Sequence, residues 1–189
     1  HLHNSKTGLS SLWFFIQYPS VIYMMPPLTT FRLSLQSVKL RDLNAIKEIV
    51  SHPLFIKASI GCQMPQSDTQ LLHWLCSQQK QYLAQKGCCY MLRYINEETI
   101  LGMVNLQATG QQTELNYWLH PHYWRQGLMT EAVSIVISKW LEQHKDSHIT
   151  ARCHLDNLAS QALLLRVGMQ LHETEPEKKI LSYRWINNR

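Results

Sequence analysis

The sequence predicts one α/β (α+β) domain in which helices flank a mixed sheet. The chain has 189 residues and 45% hydrophobic content, which is enough to bury a core without disulfide bonds or a structural metal ion. Strand-like segments come first, and two strand–helix units follow in the second half of the chain. This order is typical of helices packed on a mixed sheet.

The individual elements follow from hydrophobic periodicity. Alternating apolar residues predict strands at 31–38, 88–94, 100–106, 114–119, 149–155 and 180–186. Apolar residues spaced by three or four predict helices at 40–50, 68–86, 130–144 and 158–167. Turn-forming residues at 96–98 and 109–111 separate successive strands, and Gly168 ends the last helix.

Composition restricts the partners of this domain. The net charge of +5 suits an acidic cofactor or partner, but the basic residues are thinly spread, with no run long enough to indicate nucleic-acid binding. The five cysteines show neither a CxxC pair nor a Cys/His zinc spacing, so no metal site is predicted. An odd number of cysteines favours free thiols in a reducing cytoplasm.

Residues 1–27 are interpreted as an N-terminal extension outside the catalytic core, and residues 28–189 as the folded domain. The apolar runs at 12–16 and 21–25 are broken by Tyr18-Pro19 and are too short to cross a bilayer. A single Lys6 and the lack of a small-residue cleavage site argue against a signal peptide. A membrane is therefore not an expected partner. A strand that packs on a neighbouring molecule is the alternative interpretation of the extension.

The segment 114–132 carries the strongest functional signal. A strand runs through a proline-containing bend and Gly127 into a helix. The unpaired N–H groups and the dipole at a helix N-terminus favour a phosphate, and Gly127 allows the backbone to approach it closely. Arg125 and Gln126 supply further donors. Many strand–helix connections of this kind bind nothing, so the segment alone leaves both interpretations open.

A second strand–helix junction follows at 149–168, where Asn157 is a good N-cap residue. Two parallel strands that each lead into a helix separate at their carboxyl ends, and a ligand can enter between them. The two junctions together therefore favour a ligand site.

The two junctions resemble the GNAT superfamily of acyl-CoA-dependent N-acyltransferases, in its RimJ/RimL-like branch. In that family a loop usually written Q/R-x-x-G-x-G/A holds the CoA pyrophosphate. The matching residues are Trp124, Arg125, Gln126, Gly127, Leu128 and Met129. Other residues typical of the branch are Tyr123 and Trp124 at the start of the loop and Thr130, Glu131 and Ala132 after it. The downstream motif of the family is matched by Asn157, Ser160 and Gly168-Met169. The likeness begins at the first strand, in TTFRLSL, and covers residues 28–186.

The resemblance implies a mostly antiparallel central sheet flanked by helices and splayed at the two strands that bind acyl-CoA. It implies an enzyme that moves an acetyl group from the co-substrate acetyl-CoA to a primary amine, by direct attack in a ternary complex and without a metal. A protein N-terminus, such as that of a ribosomal protein, and a small amine are both compatible acceptors. The chain is expected to be a monomer or homodimer, with acceptor specificity in the first two helices and the loop at 63–66.

The resemblance also assigns the site residues. Glu114 is the candidate general base, with an ion pair to a neighbouring arginine as the alternative. Ser160 is the candidate donor of a proton to the thiolate, with a local hydrogen bond as the alternative. Asn157 contacts pantetheine while capping its helix. The remaining cofactor contacts are the backbone of Tyr117, Trp118 and Leu119 at the thioester, and the loop from Trp124 to Thr130 at the phosphates.

Met129 stands where Gly or Ala is usual, so a flexible side chain is expected near the phosphates and the affinity for CoA is expected to be weakened. The acidic residues Glu173, Glu175 and Glu177 are interpreted as a solvated loop, and the histidines around the glycine loop as ordinary polar positions. Two other functions remain compatible with the sequence. One is a catalytically inactive acyl-CoA-binding module, and the other is a protein-interaction module on the same fold.

Overall fold

The computed structural model describes residues 25–58, 65 and 67–185 of the chain. Residues 1–24, which make up most of the predicted extension, and most of the predicted acceptor loop lie outside this part. The described strands are β1 (Leu28–Thr29), β2 (Leu33–Ser37), β3 (Gly87–Tyr94), β4 (Gly102–Thr109), β5 (Gln112–Leu119), β6 (His148–His154), β7 (Met169–Glu175) and β8 (Ile180–Trp185). The described α-helices are α1 (Leu43–Val50), α2 (Pro53–Ala58), α3 (Asp68–Leu83), α4 (Leu128–Gln143) and α5 (Leu158–Arg166).

The eight described strands form one sheet in the order β1-β2-β3-β4-β5-β6-β8-β7. Among them, β5 and β6 pair in parallel and the other neighbours pair antiparallel. The predicted fold class, a mixed and mostly antiparallel sheet flanked by helices, is therefore confirmed.

Helices cover both faces of this sheet. Strand β5 places side chains in each of the two apolar cores that lie between the sheet and these helices. Leu115 is 2% exposed and packs in a core that includes residues of α4 and α5. Trp118 is 6% exposed and packs in a second core with residues of α1, α2 and α3. Its ring meets Phe55 of α2 edge to face, with ring centroids 5.8 Å apart. The end of β5 is thus fixed from both sides.

The structure corrects the sequence prediction at three places. Residues 169–175, which include two of the glutamates interpreted as a solvated loop, form strand β7, where Glu173 pairs with Ser182 and Glu175 with Ile180 of β8. Helix α2 was not predicted. Met25 is 6% exposed and its N–H donates to Ser37 Oγ at 2.7 Å. It therefore packs in the core of the domain.

Candidate functional site

Strands β5 and β6 separate after a short paired segment, and this opening is the centre of the site. Their register runs from Gln112 opposite His148 to Glu114 opposite Thr150. Beyond that point β5 continues to Leu119 and β6 to His154, each with its outer neighbour still paired. The splay that the resemblance implied is present in this chain.

The end of β5 directs two backbone amides into the opening. The N–H of His120 donates to the Leu101 carbonyl at 2.7 Å, on the β4 side. Because backbone groups alternate between the two sides of an antiparallel strand, the amide of Trp118 also faces β4, whereas those of Tyr117 and Leu119 face the opening. Of the three consecutive amides predicted for the thioester carbonyl, that of Trp118 is therefore not available.

The glycine turn forms the second wall of the site. Gly127 has φ +74° and is the N-cap of α4, and Arg125 also adopts a positive φ of 62°. The first helical hydrogen bond runs from Glu131 N–H to the Gly127 carbonyl, so the amides of 128–130 precede the helical ladder and can serve an anion. An added Cβ on Gly127 would lie 3.6 Å from Arg32 Nη2, an ordinary contact, so backbone conformation rather than crowding selects glycine here.

The side chains of Leu128 and Met129 point away from this turn. They are 0% and 6% exposed and lie in the core beneath α4. The expectation that Met129 places a flexible side chain near the phosphates is therefore wrong, because the residue is turned into the core. Leu128 and Met129 can therefore contact a ligand through their backbone N–H groups.

Glu131, in the first turn of α4, ties the glycine turn to the start of β2. Its carboxylate accepts hydrogen bonds from Arg32 Nε at 2.8 Å, from the Arg32 backbone N–H at 3.0 Å and from the Thr30 hydroxyl. Arg32 Nη1 also donates to the Gln126 carbonyl at 2.8 Å. Burial would raise the pKa of Glu131, but the hydrogen bonds from Thr30 and Arg32 outweigh it and hold the pKa below its ordinary value. Sequence reasoning matched Glu131 and the TTFRL strand separately and missed that they bind each other.

Trp124 joins the glycine turn to the end of β5. Its indole Nε1–H donates to the Leu119 carbonyl at 2.7 Å while the side chain stays 41% exposed. The Tyr94 hydroxyl donates to Gln126 Oε1 at 3.2 Å on the other side of the turn. Both contacts fix the loop that the resemblance assigns to the phosphates.

Ser160 lies where α5 begins, across the opening from β5. Its backbone N–H donates to Asn157 Oδ1 at 3.0 Å, so Asn157 is the N-cap. The Ser160 Oγ lies 2.9 Å from the hydroxyl of Tyr117, whose pKa is raised by burial even though the bond to Ser160 opposes the rise. Tyr117 therefore stays a neutral hydroxyl. Tyr117, Asn157 and Ser160, which the sequence assigned to the site separately, are therefore joined by hydrogen bonds in the structure.

Glu114 lies at the closed end of the opening. Its Oε1 accepts hydrogen bonds from Arg152 at 2.9 and 3.3 Å, and both side chains are partly exposed. At ~3.4 Å per residue, Glu114 lies about 10 Å along the strand from Tyr117. The ion pair that the sequence left as an alternative is present, and the carboxylate is remote from the amides that face the opening.

A cleft of about 790 Å³ opens on the α1 face, beside the end of β5. Its lining includes His52, which lies between α1 and α2, Ile100, and three residues that follow β5, namely His120, His122 and Tyr123. The rings of His52 and His120 meet edge to face, with centroids 5.9 Å apart. Burial, followed by the charges of His52 and His122, lowers the pKa of His120. Sequence reasoning treated these histidines as ordinary loop positions, because nothing in the sequence brings His52 next to His120.

Asp42 lies beneath the same cleft and is held by a buried ion pair. Its Oδ1 accepts from Arg93 Nη2 at 2.7 Å, with the two side chains 5% and 1% exposed. Arg93 Nε also donates to the Glu98 carbonyl at 3.2 Å. The pair anchors the start of α1 to β3 and to the segment at 98–100. These contacts hold together the backbone segments beneath the cleft.

Cys153, on β6 beside the opening, is a buried strand residue. It is 8% exposed, and burial raises its pKa to about 11. A buried thiol with a raised pKa is a poor nucleophile near neutral pH. This agrees with the interpretation from the sequence.

Comparison with known proteins identifies the family. The sequence model of the acetyltransferase (GNAT) domain matches residues 32–170. YoaA of Bacillus subtilis (strain 168), an uncharacterized N-acetyltransferase, is 27% identical over 150 residues, which cover 78% of this chain and 84% of that protein. The ribosomal-protein-serine acetyltransferase of Escherichia coli (strain K12) is 24% identical over 92 residues, covering 47% of this chain and 51% of that protein.

Solved structures show the same fold. The ribosomal-protein-S5-alanine acetyltransferase of Vibrio fischeri superposes with a TM-score of 0.74 at 14% identity, over 87% of this chain and 98% of the other. RimL, a ribosomal L7/L12 α-N-protein acetyltransferase in complex with coenzyme A, superposes with a TM-score of 0.72 at 16% identity, over 85% of this chain and 98% of the other.

Proposed function

This chain belongs to the acetyltransferase (GNAT) domain family and is an acetyl-CoA-dependent N-acetyltransferase, and we propose that its acceptor is the amino terminus of a protein, such as a ribosomal protein. The observation that carries the proposal is the opening between β5 and β6, where the chain after β5 leads through residues 120–123, which line the cleft, to the glycine turn. We place the reaction in the cytoplasm, in keeping with the four described cysteines, all of which are free. In the part of the chain that the structure describes, no helix combines the length and the apolar character that a membrane crossing requires.

The residues of the glycine turn fit the diphosphate of CoA. The amides of 128–130 begin a helix of 16 residues, and the macrodipole of that helix favours an anion at its N-terminus. Arg125 and Gln126 are exposed beside these amides. We assign the turn from Trp124 to Thr130 to the phosphates and the Asn157 side-chain NH₂ group to the pantetheine arm. The Asn157 oxygen is already used by the helix cap.

The thioester would then lie where Tyr117 and Leu119 direct their amides. These two N–H groups stabilise the oxyanion that forms as the amine nitrogen attacks the carbonyl carbon. The C–N bond forms, the C–S bond breaks, and the thiolate of CoA leaves. Ser160, oriented by its bond to the Tyr117 hydroxyl, supplies a proton to that sulfur, and solvent returns a proton to the serine.

The nitrogen releases one proton to solvent as the amide forms. Before the attack, the acceptor ammonium group must lose another proton to become the neutral amine. The resemblance assigns this proton to Glu114, whereas the ion pair with Arg152 and the distance along β5 favour a structural role for that carboxylate. We therefore propose that the proton leaves through the solvent-open cleft. Substitution of Glu114 distinguishes the two routes.

The proposal is tested first by ligand binding. Acetyl-CoA at ~100 times its dissociation constant adds about 2.7 kcal/mol to the free energy of unfolding. For a chain of this size the expected rise in Tm is roughly 5–10 °C. Acetyl-pantetheine, which lacks the diphosphate, is the matched control. At the same concentration as acetyl-CoA it should raise Tm less, because its affinity should be lower. Equal shifts would contradict the phosphate role of the glycine turn, and no shift with either ligand would contradict the enzyme assignment in favour of a scaffold.

Acceptor identity is tested by mass spectrometry. Peptides that match the N-termini of ribosomal proteins, incubated with acetyl-CoA and the enzyme, should gain one acetyl group at the α-amine. Free amino acids, diamines and peptides with a blocked α-amine but a free lysine are the comparison set. Acetylation confined to the lysine or to the small amines would contradict a protein N-terminus as the acceptor.

A further inference from the structure

The ion pair between Glu114 and Arg152 crosses the opening between β5 and β6. Glu114 lies on β5 and Arg152 on β6. Glu114 Oε1 accepts from Arg152 Nη2 at 2.9 Å and from Arg152 Nε at 3.3 Å. Strand β6 pairs with β5 only as far as Thr150, opposite Glu114, so the two strands have already separated at Arg152. The side chain of Arg152 therefore reaches back from one wall of the opening to the other.

The pair lies on the face of the sheet that carries the cleft. Side chains alternate along β5, and Leu115 packs in the core of α4 and α5 while Trp118 packs in the core of α1, α2 and α3. Glu114 is an even number of residues from Trp118, so its carboxylate and the guanidinium bound to it lie on the same side of the sheet as Trp118. Glu114 and Arg152 therefore close the base of the opening on the side of the cleft.

The closed end of the opening faces the acyl group of the co-substrate. The glycine turn, which is assigned to the diphosphate, follows the open end of β5 at Leu119. The acyl group is at the opposite end of acetyl-CoA, so it lies farther along the opening, toward its closed end. The parallel register puts Arg152 level with Asn116, one residue or ~3.4 Å from Tyr117. An acyl chain longer than two carbons therefore extends toward the guanidinium of Arg152.

Resting on the proposed position of acetyl-CoA in the opening, we propose that Arg152, held by Glu114, limits the length of the acyl group that the enzyme transfers. An acetyl group fits ahead of the ion pair, whereas a butyryl group reaches it and must displace the guanidinium from the carboxylate. The two side chains are 59% and 38% exposed. An exposed pair of this kind changes a binding constant by about fivefold at most, which corresponds to ~1 kcal/mol. The discrimination between acyl groups is therefore graded.

The proposal is tested by binding a series of acyl-CoA molecules to the unaltered protein and to Arg152 variants. Isothermal titration measures the dissociation constants of acetyl-CoA, propionyl-CoA and butyryl-CoA in the absence of any acceptor. The unaltered protein should bind butyryl-CoA about fivefold less tightly than acetyl-CoA, with propionyl-CoA between them. Arg152→Ala should raise the ratio of butyryl-CoA affinity to acetyl-CoA affinity about fivefold. Arg152→Lys keeps a cation beside Glu114 and should retain most of the discrimination.

A charged acyl group tests the position of Arg152 directly. Glu114→Gln removes the carboxylate that occupies the guanidinium, so the terminal carboxylate of succinyl-CoA can take its place through charge-assisted hydrogen bonds. Succinyl-CoA has the same number of acyl carbons as butyryl-CoA, and the ratio of its affinity to that of butyryl-CoA should rise at least about fivefold in this variant. Lys47→Ala breaks a comparable exposed pair with Asp68, between α1 and α3, and should change neither ratio.

The outcomes distinguish this inference from the proposed function. Equal affinities of the unaltered protein for acetyl-CoA and butyryl-CoA would overturn the inference while leaving acetyl transfer intact. An Arg152→Ala variant that binds acetyl-CoA, and is therefore folded, but keeps the butyryl-to-acetyl ratio would overturn it as well. So would a succinyl-to-butyryl ratio that Glu114→Gln does not raise. Failure of the unaltered protein to bind any of these acyl-CoA molecules would instead overturn the proposed function.

Discussion

The hydroxyl groups of Tyr117 and Ser160 lie 2.9 Å apart across the opening between β5 and α5. Ser160 Oγ is therefore oriented by a partner from the far side of the site, not only by its own helical turn. Tyr117 has two roles in the site. Its backbone amide faces the opening, and its hydroxyl is hydrogen-bonded to Ser160 Oγ. The local hydrogen bond considered for Ser160 from the sequence is present too, through its backbone and Asn157.

The Ser160→Ala substitution should lower kcat by about 10²-fold, because proton transfer by a positioned group contributes at least that much. The KM for acetyl-CoA should stay unchanged. Tyr117→Phe should lower kcat about tenfold, and the double variant should be little worse than Ser160→Ala because the two groups act together. Tyr183→Phe, which removes a hydroxyl from the same core, is the control. Additive losses would show that Tyr117 acts independently of the serine.

The Glu114→Gln substitution should leave kcat within about fivefold of the unaltered enzyme. The exposed ion pair with Arg152 contributes ~0–1 kcal/mol, so the free energy of unfolding should also change by less than about 1 kcal/mol. Steady-state kinetics and urea unfolding measure the two effects. A kcat lowered by about 10²-fold with CoA binding intact would restore Glu114 as the general base.

The Arg32→Ala substitution should weaken CoA binding about tenfold and lower the free energy of unfolding by about 1–2 kcal/mol. It removes the charge-assisted bonds to Glu131 and the bond to the Gln126 carbonyl, each of the kind that contributes ~1–3 kcal/mol when made to a charged group. Isothermal titration with CoA measures the affinity. Lys139→Ala breaks an exposed pair with Glu142 on the same helix and should change neither quantity.

The Met129→Ala substitution should leave the affinity for CoA unchanged while lowering the free energy of unfolding by about 2–4 kcal/mol. Met129 is 6% exposed, and truncating a buried methionine leaves a cavity in the core. Chemical unfolding and CoA titration of one preparation compare the two quantities. Tighter CoA binding by the alanine variant would show that Met129 does obstruct the phosphates.

The free energy of unfolding should fall as the pH drops below 6.5, because burial and the neighbouring His52 and His122 hold the pKa of His120 below its ordinary value of 6.5 in the folded chain. The unfolded chain then binds a proton before the folded chain does. Protonation also places a donor on Nδ1 against the His122 N–H. Urea unfolding above and below pH 6.5 measures the effect, and His120→Gln should reduce it. An equal loss of stability in that variant would assign the effect to another group.

The sequence predicted the fold and the two junctions because periodicity and turn chemistry act locally. Gly127 at positive φ, Asn157 as an N-cap and the long helix after the glycine turn all follow from residues close in the chain. Strand β7 escaped prediction because most of its side chains are exposed, which removes the alternation that marks a strand.

The contacts that complete the site join residues far apart in the chain. Arg32 meets Glu131 across 99 positions, and Tyr117 meets Ser160 across 43. The His52–His120 contact is likewise long-range. A motif fixes which residue types are present, whereas the folding of the sheet decides which of them become neighbours.

The separation of β5 and β6 creates two unpaired strand edges in the interior of a sheet. An unpaired edge normally invites another chain, and proteins protect edges at the periphery with charges, bulges or short strands. Here the backbone N–H groups of Tyr117 and Leu119 lie between two halves of one sheet, held together at their base by the pairs from Gln112 to Glu114. These edges face each other inside the sheet rather than lying at its periphery. The fold thereby places unpaired backbone groups where they can bind a ligand instead of the edge of another chain.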